Sequence, residues 1–247
     1  MRPAGKPSLS SKPEAWTELA LTLPVFLVYQ LGVVFLKARN GADIVTARLL
    51  ELSHGDRLTY LELTAGIGLA TIAVFAILGR GQVLRPGKLV QIALEGAAYA
   101  IAMGATTSWL VGRLFAGPRL PVDSGPLSGL VMSLGAGFYE ELAFRVVLFG
   151  FGAKLLLWAL WKQRVGLVAS APPLRTGAIM TMTVWAAASA SVFSGMHYLG
   201  ALGEPFNLRS FVARAVLGLA LTVVYATRGF AAAVWTHTLY DVWVLVL

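Results

Sequence analysis

The 247 residues are 57% hydrophobic and 13% charged, with a mean hydropathy of +0.72, and a water-soluble domain of this length cannot bury that much apolar surface. The net charge of +8 would suggest nucleic acid in a soluble protein, but here Lys and Arg cluster mainly in short gaps between apolar segments. That pattern fits loops meeting lipid headgroups, so membrane lipids are expected partners and nucleic acid is not. The absence of cysteine excludes disulfides, thiolate metal sites and a cysteine nucleophile together.

In chain order, residues 1–15 read as a polar, basic tail. The apolar segment after it ends in LKARNG rather than at a small-residue cleavage site, so an uncleaved first span is expected. Candidate spans are Trp16–Leu36, Tyr60–Leu78, Leu89–Val111, Pro126–Trp161, Thr176–Leu199, Phe206–Ala226 and Gly229–Leu247, each long enough for a helix across a hydrocarbon core of ~30 Å. The fourth exceeds one perpendicular helix and reads either as one long tilted helix or as a helix plus a surface segment. The expected fold is therefore all-α, a polytopic transmembrane bundle of seven to eight spans in a single domain over residues 16–247. The loop at 37–59 spaces Ile44, Val45, Leu49, Leu50 and Leu52 for a short amphipathic helix. Gly- and Pro-marked connections such as GRGQVLRPGK and FAGPRLPVDSGP read as tight turns. The distribution of basic loops favours a cytoplasmic N-terminus, and the expected location is a bacterial inner (plasma) membrane.

A charge at membrane depth costs about 2.5 to 3.5 kcal/mol even on translocon scales, so each one within a span is a functional hypothesis. Three fall within six residues of GFYEELAFRVVLFG: Glu140, Glu141 and Arg145. The following span carries His197 in SVFSGMHYLG, and the last carries His237 and Asp241 in VWTHTLYDVW. Glu141 and Arg145, four apart, share a helix face and can pair. Glu140 points about 100° away, free to face a polar cavity as a general base. His237 and Asp241 share the four-residue spacing, as do Phe193 and His197, where the aromatic ring can wall the histidine from lipid. Glu95 reads as a cavity-lining, snorkelling or paired carboxylate. Lys154 and Arg214 read as snorkelling cations, and His54 as a solvated loop residue.

The ordered set Glu-Glu-x-x-x-Arg at 140–145, Phe-x-x-x-His at 193–197 and His-x-x-x-Asp at 237–241 resembles the CAAX-protease and bacteriocin-processing family. This family is also called Abi or type II CAAX endopeptidases and consists of intramembrane proteases commonly labelled metalloproteases. The resemblance spans residues 127–247, while the first three spans match no named family. It implies an intramembrane endopeptidase acting on a membrane-associated protein or peptide, with Glu140 and His197 activating water and His237 with Asp241 stabilising the oxyanion. The third motif often ends in Asn, and an ionised Asp cannot donate to an oxyanion. Asp241 is therefore expected to hold His237 and leave that contact to the imidazole. The candidate catalytic set is Glu140, Glu141, His197, His237 and Asp241, supported by Arg145 and Phe193. No obligatory metal is expected. The alternative is zinc held by Glu140, His197 and His237, although no span carries the His-Glu-x-x-His pattern of the zincins. Two other classes compete, a non-enzymatic scaffold or immunity-type protein and a proton-coupled transporter. The internal repeats and broken helices common in transporters are not visible in the sequence.

Overall fold

The computed structural model describes residues 15–36, 39–78, 86–115, 125–163, 175–199 and 203–247, and every regular element among them is helical. Residues 1–14 of the expected tail, and the parts of the two expected turns at 79–85 and 116–124, lie outside the described residues. The helices are α1 (Ala15–Leu36), α2 (Ile44–Leu52), α3 (Arg57–Leu78), α4 (Pro86–Leu114), α5 (Pro126–Gly135), a π-helical stretch (Ala136–Phe151), α6 (Gly152–Trp161), α7 (Thr176–Met196), α8 (Leu208–Arg228) and α9 (Phe230–Leu245). Among the described residues six helices are long and apolar enough to cross a membrane, with α5, the π-helical stretch and α6 forming one continuous helix. The protein is thus a polytopic helical membrane protein. The amphipathic segment in the first loop is α2, capped by Asp43, whose side chain accepts the Thr46 N–H.

The fourth span is a single helix of 36 residues, which settles the choice between one long helix and a helix with a surface segment. Its middle is π-helical from Ala136 to Phe151. Such i→i+5 winding is rare and recurs at functional sites, and this stretch carries Glu140, Glu141 and Arg145.

The last apolar segment forms α9, 16 residues long and packed against α1, α4, α5, α8 and the π-helical stretch. Ala231, Ala232, Ala233 and Val234 are fully buried, because small side chains let neighbouring backbones come close. The neighbours respond in kind. A Cβ on Gly137 would lie 1.9 Å from Thr238 Oγ1, and one on Gly129 would lie 2.6 Å from the Leu245 carbonyl oxygen. Gly229 alone joins α8 to α9, with φ 98° and ψ −176°, a conformation that glycine adopts without steric cost. The Ala231 N–H at the start of α9 donates to the Glu18 carboxylate on α1, so an anion sits at the positive end of the helix dipole.

Candidate active site

The π-helical stretch, α7 and α9 bring the ionisable residues of the three motifs together. Glu140 Oε2 lies 3.9 Å from His197 Nε2 and 4.0 Å from His237 Nε2. Both separations are too long for direct hydrogen bonds, and a polar gap of this kind is one that a water molecule bridges. His197 Nδ1 is 3.0 Å from the Phe193 carbonyl oxygen. A carbonyl only accepts, so Nδ1 carries a proton, and Nε2 is the ring nitrogen that faces Glu140. His197 is the first residue after α7, where the broken i→i+4 ladder leaves its ring free to turn inward.

His237 is held differently from the expectation. Its Nδ1 lies 2.7 Å from Glu141 Oε1, whereas Asp241 Oδ2 stands 3.6 Å from Nε2. Glu141, and not Asp241, fixes the ring. The spacing of four within one helix pointed to Asp241, but the wide π turn aims Glu141 across the interface at α9. Glu141 also meets Arg145, with Nη1 2.9 Å from the same Oε1, as their spacing suggested. Arg145 is 1% exposed and Glu141 fully buried. Arg145 Nη2 reaches the Gly218 carbonyl at 3.4 Å, and its guanidinium carbon stands 4.3 Å from the centroid of the Phe193 ring, within cation–π range. The same ring meets His197 edge-on at 5.2 Å and His237 at 6.1 Å. Phe193 is thus a wall shared by the cation and both imidazoles.

Other charged residues settle outside this cluster. Glu95 pairs with Arg228 through Nε–Oε2 at 2.7 Å and Nη2–Oε1 at 2.8 Å, the paired alternative of its reading. Arg214 has an acidic partner that the sequence reading did not name. Its Nη2 holds both Glu204 oxygens at 2.8 Å while its guanidinium covers the Tyr198 ring. The Glu204 N–H donates to the His197 carbonyl at 2.9 Å, so this pair fastens the segment that follows the histidine. Lys154 is exposed, and so is His54, the latter as its loop position suggested.

A buried polar group beside the site escaped the sequence reading. Asn40, before α2, donates from Nδ2 to Glu140 Oε1 at 2.8 Å. Nearby, Tyr29 donates to Asp43 at 2.7 Å, and Gln30 joins Tyr139, Tyr60 and Thr46. Polar residues on either side of a loop carry no helical period, and only burial distinguishes Asn40 from an ordinary turn asparagine.

Among the described residues, no group of three His, Cys, Asp or Glu side chains is arranged to hold a metal ion. Two ligands of one zinc ion at about 2.0 to 2.1 Å lie on the order of 3.3 Å apart, closer than Glu140 Oε2 is to either imidazole.

The fold and this charged interior define a class, a helical membrane protein with carboxylates and imidazoles gathered inside the bundle. Residues 123–243 match the Rce1-like family model, described as type II CAAX prenyl endopeptidase Rce1-like. The match covers just under half of the chain and marks it as a membrane-embedded peptide hydrolase of CAAX type. No curated protein and no solved structure matches it significantly.

Proposed function

We propose that the protein cleaves a peptide bond of a membrane-associated substrate with a water activated by Glu140 and His197. The observation that carries this reading is the placement of one Glu140 oxygen at 3.9 and 4.0 Å from two imidazole Nε2 atoms whose Nδ1 atoms are engaged elsewhere. Water in that gap gives a proton to Glu140 while His197 Nε2 orients it, and its oxygen attacks the scissile carbonyl carbon. Protonated His237, held at Nδ1 by Glu141, donates from Nε2 to the developing oxyanion. Its charge is balanced by Glu141 and Asp241. Glu140 then passes its proton to the leaving amide nitrogen as the carbon–nitrogen bond breaks.

No step of this mechanism runs through a metal. Purified protein is expected to keep its activity under strong chelation and to carry no stoichiometric zinc. One tightly held zinc per chain, lost together with activity, would replace this mechanism with the zinc-dependent one. The proposed location is a bacterial inner membrane, supported by helical rather than barrel-forming spans.

Glu140→Gln preserves shape but cannot accept a proton, and loss of a general base costs about 10² to 10⁴ in rate. The variant is expected to accumulate normally, retain bound substrate and fail to cleave it. Full cleavage by Glu140→Gln at normal membrane abundance would sink the hydrolytic reading of this cluster in favour of a scaffold role.

A further inference from the structure

The three spans ahead of the family-matched residues still lack a role in catalysis, yet one side chain from their first connection enters the site. We infer that Asn40 is a positioning residue for Glu140, tying one carboxylate oxygen so that the other stays aimed at His197 and His237. This inference rests on the proposed role of Glu140 as the base.

Asn40 is 5% exposed, and its amide orientation follows from its partners. Oδ1 accepts the Ala42 N–H at 2.8 Å, which leaves the Nδ2 donors for a carboxylate that can only accept, Glu140 Oε1 at 2.8 Å. The backbone behind it is fixed as well. The Asn40 N–H donates to Tyr29 Oη at 2.9 Å, Tyr29 donates to Asp43 Oδ2 at 2.7 Å, and Asp43 Oδ1 accepts the Thr46 N–H at 2.8 Å. The amide is therefore anchored by α1 and by the cap of α2 before it meets the glutamate. With Oε1 held, the torsions of Glu140 are restricted and Oε2 remains on the side of both imidazoles. A supporting hydrogen bond of this kind positions a reacting group without touching substrate.

The test compares Asn40→Asp, Asn40→Ala and Glu140→Gln in vesicles, using a fluorogenic prenylated CAAX-type peptide and measuring kcat, KM and membrane abundance. Asn40→Asp keeps the acceptor for the Ala42 N–H, and so the turn, but sets a carboxylate against Glu140. Loss of a hydrogen bond to a charged group predicts a fall in kcat on the order of 10- to 100-fold with KM unchanged. Asn40→Asp is expected to lose at least as much as Asn40→Ala. A purely structural role predicts the opposite order, because Asp preserves the turn and Ala does not. Near-wild-type kcat for Asn40→Asp, with Glu140→Gln inactive, overturns the inference and leaves the base in place. An active Glu140→Gln removes the base and this inference with it. Should Asn40→Ala fail to accumulate, the isosteric Asp variant decides alone.

Discussion

At the scale of single residues, Glu141 has two partners and therefore two jobs. One carboxylate oxygen meets both Arg145 Nη1 and His237 Nδ1, so the buried ion pair and the imidazole are coupled. Breaking such a pair from one side leaves an uncompensated buried charge and costs about 3 to 5 kcal/mol. Arg145→Ala should therefore show first as poor membrane accumulation. Removing both charges at similar volume is often neutral for stability, so Glu141→Gln with Arg145→Met should restore abundance. Cleavage should stay low, because His237 has lost its charged partner. Quantifying protein and product for both variants checks the two roles separately. Normal abundance of Arg145→Ala would remove the stability role, and normal cleavage by the double variant would reduce Glu141 to structure alone.

At the scale of elements, the decisive contact is the one between the π-helical stretch and α9. Gly137 faces α9 at close range, and an added Cβ would meet Thr238 Oγ1, the Val234 carbonyl oxygen and Thr238 Cβ. Thr238 is the residue after His237, and Gly137 is three residues before Glu140. A clash here therefore moves the base relative to the imidazole. Misplacement by about 1 Å costs on the order of 10²-fold in rate. Gly137→Ala should lower kcat by roughly that factor, with Thr238→Ala recovering part of it. Gly112 on α4 has open space around its Cβ position, so Gly112→Ala should leave activity intact. Equal behaviour of Gly137→Ala and Gly112→Ala in the cleavage assay would show that the separation of the two helices does not set the site.

At the scale of the whole molecule, polar contacts at two levels of α1 bind the family-matched half to the spans before it. Glu18 caps the start of α9. Further along, Tyr29 and Gln30 reach the loop, α2 and Tyr139 of the π-helical stretch, with Phe26, Tyr29, Val33, Val131 and Tyr139 as the apolar seal between α1 and the long helix. The α4 helix adds the pairing of Glu95 with Arg228 beside the turn into α9. The sequence by itself determined the apolar helical class, because runs of apolar residues matched to a bilayer admit little else. It also determined which ionisable residues stand out, because a charge in such a run is costly enough to need a reason. Spacing within a helix led correctly from Glu141 to Arg145 and from Phe193 to His197. It pointed to Asp241 as the holder of His237, because local spacing knows nothing of the π turn that sends Glu141 across to another helix. Only the tertiary structure decided that α9 packs against α1, α4, α5, α8 and the π-helical stretch, and that Arg214 pairs with Glu204. It alone placed Asn40, 100 positions earlier in the chain, against Glu140. A helical period reports which side chains share a face. Which face meets which neighbour depends on how closely the backbones approach, and here that is decided by glycines and alanines that carry no charge and no motif.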